Sequence, residues 1–233
     1  MGAINFSINE KFLCFLHARL GLKWFMETGT FEGSSLVLAA RHFDRCISVE
    51  LSTVYYEKAI AKFHNVANVE LHCGHSSEIL KDFSEVLQRE PGLFWLDAHW
   101  CVAENTAGSD SQSPLLSELQ AIGRLHPKSV VLVDDARLYL CAPPRPHRYQ
   151  DWPGLSEIVR ILNTLSESHA LSIYNDVMAF YPQDIAKEFD EFAYDNGVDW
   201  LSIVLSQRQL AADHDSSRQK FRLWKRLMRS VSS

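Results

Sequence analysis

Residues 24–35, Trp-Phe-Met-Glu-Thr-Gly-Thr-Phe-Glu-Gly-Ser-Ser, read as a strand that runs into a glycine turn and then into a helix. Trp24, Phe25 and Met26 supply the short buried strand. Gly29 lets the backbone approach a ligand, and Gly33 with Ser34 and Ser35 opens a helix predicted over 34–42. One strand later, in Ile47-Ser48-Val49-Glu50, a carboxylate stands where doubly wound sheets accept hydrogen bonds from the two ribose hydroxyls of a nucleoside.

Outward from this stretch, apolar runs of strand length alternate with helical patterns, the βαβ rhythm of a parallel sheet. The pattern predicts strands at 22–27, 46–50, 68–72, 92–96 and 129–133 after an N-terminal helix at 8–20, with helices at 33–43, 53–64, 76–89, 114–124 and 154–168. Two last strands, 170–174 and 177–181, are joined by Asn175-Asp176 alone, and a two-residue connection makes a hairpin whose last strand runs antiparallel. The expected fold is therefore α/β: a Rossmann-like, doubly wound, seven-stranded sheet, mostly parallel with an antiparallel last strand. Four segments follow: 1–21 helical, 22–182 the α/β domain, 183–217 a weakly patterned extension helical near 183–193, and 218–233 a basic tail.

Composition agrees with one α/β domain: 233 residues, 46% hydrophobic and 22% charged. Five cysteines without a CxxC pair read as reduced thiols, and neither a leader pattern nor a run of about 20 apolar residues is seen, so a cytoplasmic location is expected. The net charge of −6 hides an asymmetry. Of 23 lysines and arginines, six (Arg218, Lys220, Arg222, Lys225, Arg226 and Arg229) follow Asp215, leaving 17 against 29 acids, a body near −12 that disfavours nucleic acid. A helix over 218–231 gathers Phe221, Leu223, Trp224, Leu227, Met228 and Val231 on one side. Such a basic amphipathic helix suits a peripheral membrane or protein partner, or simply a solvated end or a helix folded onto its own domain.

The glycine spacing bears on which nucleotide fits. A dinucleotide fingerprint is GxGxxG, but Thr30 and Phe31 stand between Gly29 and Gly33, and Glu27 before the turn would repel phosphate and attract a cation. At Glu27-Thr-Gly-Thr-Phe-Glu-Gly-Ser-Ser the chain resembles the class I S-adenosylmethionine-dependent methyltransferases, in their small-molecule O-methyltransferase form. The likeness extends over about 22–181 through Phe94-Trp-Leu-Asp-Ala-His-Trp, a Gly/Ser/Asp loop, Pro114-Leu-Leu-Ser-Glu-Leu and Val131-Leu-Val-Asp-Asp-Ala-Arg, which resemble bacterial enzymes often found with surface-sugar biosynthesis. The resemblance implies S-adenosylmethionine as cofactor, held by Glu27, Thr28, Gly29, Thr30, Gly33, Ser34, Ser35, Glu50, Leu51, Gly74, His75, Ser76 and Asp97. His75 stands where the family often has an adenine-binding Asp.

Ligands of open parallel sheets collect at the carboxyl ends of the strands. There Asp97 and His99 follow one strand, and Asp134 and Asp135 the next. His99, Asp97 and Asp135 are the candidate catalytic residues, with His99 as general base for an alcohol. Crowded carboxylates call for a cation, so Asp97, Asp134 and Asp135 are candidate ligands of Mg2+. The alternative has Asp97 touching cofactor or substrate, Asp134 capping a turn and Asp135 paired with Arg137. Residues 100–113 are long enough for a lid, and the loop Arg137–Tyr149 brings Arg145, His147 and Arg148, which could grip an anionic or sugar-like substrate. The leading expectation is O-methylation of a sugar or other small-molecule hydroxyl, with a homo-oligomer left open. The alternatives are a catalytically reduced binding protein that partners a glycan-synthesis enzyme, and a nicotinamide-dependent oxidoreductase.

Overall fold

The computed structural model describes residues 8–103, 106, 111–206 and 209. The basic stretch 218–233 lies outside them. The chain divides into two compact units between Glu191 and Phe192, and the sheet belongs wholly to the first.

The first helix, α1 (Glu10–Leu20), starts where the Asn9 side chain accepts from the Phe12 N–H at 3.2 Å. It stops at Gly21, whose left-handed φ of 64° lets its N–H reach the His17 carbonyl. Then come β1 (Trp24–Thr28), α2 (Ser34–Ala39), β2 (Arg45–Glu50), α3 (Thr53–Phe63), β3 (Val69–Cys73), α4 (Ser76–Leu87), β4 (Gly92–Leu96), α5 (Leu115–Ile122), β5 (Val130–Val133), α6 (Leu155–Leu165), β6 (His169–Tyr174), β7 (Val177–Pro182) and α7 (Ala186–Asn196). The sheet order is β3-β2-β1-β4-β5-β7-β6. All pairings are parallel except those of β7, which runs antiparallel to both β5 and β6. The seven strands and the reversed last one are as the sequence pattern predicts, with boundaries displaced by one or two residues.

Strands covered on both faces read as unbroken apolar runs, and β1, β4 and β5 are buried at every position. Trp24 and Met26 join Ile47, Phe94, Leu96 and Val131 in a core closed by Leu80 of α4, Leu119 of α5 and Ile158 of α6. Phe25 points the other way, onto Phe43 at 5.6 Å. Phe189 stacks on Tyr181 at 4.1 Å and meets Phe12 of α1 at 5.7 Å. Gly92 belongs to the packing, because a Cβ there would stand 2.1 Å from the Trp24 ring. The hairpin turn uses Asn175 and Asp176 at φ 47° and 71°, the left-handed pair that such a turn requires. Among the described residues no helix is long and apolar enough to cross a membrane.

Candidate active site at the carboxyl edge of the sheet

The order β3-β2-β1-β4-β5 places the first reversal of chain direction along the sheet between β1 and β4, and a crevice opens beyond their carboxyl ends. It holds a cavity of about 830 Å³ lined from Gly29, Phe31, Glu50 and Leu51 through Gly74, His75 and Ser76 to Asp97, His99, Asp134 and Asp135. Gly29 is required there: at φ 83° a Cβ would lie 2.4 Å from the Asp97 carbonyl oxygen, so the ends of β1 and β4 close up only around glycine.

Glu50 is 7% exposed and is held by backbone. One carboxylate oxygen accepts from the Phe31 N–H at 2.8 Å and the other from the Ser52 N–H at 2.8 Å. Each oxygen keeps a lone pair, and the group faces the cavity. Phe31 reaches this position at a positive φ of 45° and lays its ring against Tyr55 at 4.6 Å. The sequence offered no sign of this role beyond the flanking glycines.

Several residues expected at the cofactor stand off the cavity. Glu27, Thr28, Thr30, Gly33, Ser34 and Ser35 are not among the residues that line it. Glu27 is 1% exposed inside the sheet, with the Ser48 hydroxyl donating to it at 2.7 Å, and Ser48 also meets Thr30 Oγ1 at 2.6 Å. Burial pushes the Glu27 carboxyl up to about 8, against the Ser48 hydrogen bond, so near neutral pH it is largely protonated. The charge argument placed on Glu27 therefore fails at that residue. Gly33 caps α2 at φ 67° with the Phe63 ring 2.8 Å from where a Cβ would be, which makes it a packing residue. Glu118, which the sequence did not single out, is a second buried acid, held up to about 7 by burial despite the Ser76 and Thr28 hydroxyls.

The carboxylates beyond β4 and β5 lie in a different environment. Burial and then the charges of Asp134 and Asp135 hold the Asp97 carboxyl well above the usual range. The His99 side chain keeps 7% exposure, and its Nε2 is 3.4 Å from both Asp97 Oδ1 and Asp135 Oδ2. Neither ring nitrogen has hydrogen-bond geometry to any protein group. Burial lowers the imidazole pKa against the pull of Asp135, leaving a neutral ring at pH 7.

The magnesium expectation for Asp97, Asp134 and Asp135 does not fit this geometry. The His99 ring occupies the place between Asp97 and Asp135, and Arg137 grips Asp135 with both terminal nitrogens at 2.6 and 3.2 Å. Among the described residues no group of three or more His, Cys, Asp or Glu side chains is disposed to hold a metal. Arg137 also donates to Asp176 from Nη1 and, at 2.9 Å, from its backbone N–H. Asp176 lies in the β6–β7 turn 39 residues away, which is why local sequence did not show it.

The two flanking loops are clipped together at Gln112. Its carbonyl accepts from the Trp100 N–H at 2.7 Å, and its Oε1 accepts from the Arg148 N–H at 2.7 Å and from Trp152 Nε1 at 3.3 Å. Residues 104, 105 and 107–110 of the expected lid lie outside the described residues. Arg148 pairs with Asp151 at 2.7 Å, and neither Arg148 nor Arg145 lines the cavity.

With this fold and crevice in view, the chain has the Rossmann-like methyltransferase fold, and solved structures match it on that level. An O-methyltransferase from Bacillus cereus in complex with SAH superposes with a TM-score of 0.52 at 17% identity, over 74% of this chain and 80% of that one. A provisionally assigned O-methyltransferase from Klebsiella pneumoniae gives 0.52 at 16%, over 74% and 79%. A provisionally assigned methyltransferase from Streptococcus mutans, also with SAH, gives 0.51 at 10%, over 75% and 99%. No family model matches the chain, and no curated protein matches it in sequence.

Proposed function

We propose that this protein transfers the methyl group of S-adenosylmethionine to a hydroxyl of a small molecule. The observation that carries the reading is one cavity holding both a nucleoside-type carboxylate, Glu50, beside Gly29, and a buried, neutral imidazole without a hydrogen-bond partner, His99. The residues fit the cofactor: Gly29 lines the cavity where β1 and β4 close up, Glu50 offers lone pairs to ribose hydroxyls, and Gly74, His75 and Ser76 line a wall that an adenine could meet. The acidic wall of Asp97, Asp134 and Asp135 suits a cation, while the N-terminus of α2, where a pyrophosphate would sit, does not line the cavity. The Bacillus cereus structure of the same fold is a complex with SAH.

The cofactor supplies a methyl group already activated on a positively charged sulfur, so the protein's task is alignment and proton removal. The cofactor would be held at Gly29 and Glu50, and its neutral sulfide would be the leaving group. His99 takes the hydroxyl proton. The imidazolium then lies 3.4 Å from Asp135, whose charge opposes the effect of burial.

Calorimetric titration with S-adenosylmethionine, S-adenosylhomocysteine and NADH tests the cofactor half, and an acceptor screen tests the rest. Saturable binding of both adenosyl compounds but not NADH is expected. NADH binding alone, or none, contradicts the reading. Adenosyl binding with no turnover on any hydroxyl compound favours the catalytically reduced binding protein.

A further inference from the structure

The cavity has a second end, beyond β4 and β5, where His99, Trp100, Asp135, Arg137 and His147 meet. We infer that this end takes a hydroxylated ring that is uncharged or cationic, laid against the Trp100 and His147 side chains, and that it rejects phosphorylated and carboxylated compounds. The inference rests on the methyl-transfer reading only in naming His99 as the group the ring's hydroxyl must reach.

Three observations carry it. The first is charge: among the described lining residues Arg137 is the only lysine or arginine, and its guanidinium already bridges Asp135 and Asp176. The Asp176 side chain is 1% exposed, so drawing Arg137 onto a ligand anion would leave a buried carboxylate without its cation, a heavy penalty. Arg148 is engaged by Asp151 and stands off the cavity. Of the anionic or sugar-like substrate expected from the composition of the 137–149 loop, this favours the sugar-like one.

The second observation is shape. Trp100 meets His147 edge-on at 5.7 Å, His147 meets Trp152 at 5.2 Å, and Trp152 meets His99 at 5.5 Å. Trp100 and His147 line the cavity, and Trp152, which does not, packs on both histidines, so the two lining side chains offer a surface suited to the apolar face of a ring.

The third is hydrogen-bonding sense. His147 Nδ1 lies 2.8 Å from the Pro144 carbonyl oxygen and donates to it, so in the neutral ring Nε2 is the acceptor. With the Asp135 carboxylate and the unpartnered, 7% exposed His99, this end presents mainly acceptors, which match hydroxyl and ammonium donors and oppose phosphate oxygens.

The test titrates the SAH-loaded full chain with methyl α-D-glucopyranoside, D-glucosamine and D-glucose 6-phosphate at matched concentrations. It follows the imidazole NMR signals of His99 and His147, assigned through His99→Gln and His147→Gln. The glucoside and glucosamine are expected to shift both signals and the phosphate neither, and Asp135→Asn should cut any preference for glucosamine over the glucoside several-fold. Shifts from glucose 6-phosphate equal to or larger than those from glucosamine would overturn the inference, as would no shift from either uncharged or cationic sugar. Failure of SAH to bind strikes the methyl-transfer reading instead, and the same sugar titrations of the free chain still decide this one.

Discussion

Two carboxylates in one crevice, Glu50 after β2 and Asp97 after β4, show how backbone decides what an acid can do. Glu50 receives a backbone N–H on each oxygen, so its position is fixed with its carboxylate facing the cavity. Burial and then the charges of Asp134 and Asp135 raise the Asp97 pKa, and His99 lies 3.4 Å from it without hydrogen-bond geometry. The β1–β2 half thus holds its carboxylate by backbone hydrogen bonds. The β4–β5 half is electrostatically unsettled, a property that suits proton transfer and response to a cation.

The comparison breaks most visibly at His99. With an acceptor from the screen, His99→Ala should lower turnover by about 10²- to 10⁴-fold, the usual worth of a general base, while calorimetry finds SAH affinity near the parent value. Equal turnover in variant and parent would remove the imidazole from the reaction. At the end of β1, Gly29→Ala puts a Cβ at the Asp97 carbonyl and at an unfavourable φ. Strain at the upper end of about 1–3 kcal/mol converts to roughly hundredfold weaker SAH binding by calorimetry. Glu50→Gln keeps the shape and loses the charge, and SAH should bind about tenfold more weakly, the loss of a charge-assisted hydrogen bond.

The smallest expected effect on binding sharpens the contrast from beneath. Glu27→Gln should leave SAH affinity near the parent value, because Glu27 does not face the cavity. Its signature is in stability. Burial raises this carboxyl from 4.5 to about 8, so the folded state holds a proton that the unfolded chain releases at lower pH. The stability this proton contributes is full below about 4.5 and is lost as pH rises towards 8. Urea midpoints should therefore fall more steeply over that range in the parent than in the variant, and parallel curves would show that Glu27 is ionised in the fold.

The strand rhythm, the hairpin at Asn175-Asp176 and the gathering of Glu50, Asp97, His99, Asp134 and Asp135 at one edge were legible because periodicity and turn chemistry are local. What escaped was set by packing between distant segments. Glu27 looked like an anion until burial, against the Ser48 hydrogen bond, made it a neutral core residue. Gly33 looked like a ligand glycine until the Phe63 ring explained it. The three aspartates looked like a metal site because Asp176, which anchors Arg137 beside Asp135, comes from the far hairpin.

The central claim is that one cavity sets an adenosyl cofactor on Glu50 with its sulfur facing His99. A crystal structure of the full chain with S-adenosylhomocysteine tests it most directly. The account predicts ribose hydroxyls on the Glu50 carboxylate and the sulfur turned towards the His99 and Asp135 end. A ligand whose ribose lies away from Glu50, or whose sulfur points away from His99, would contradict it.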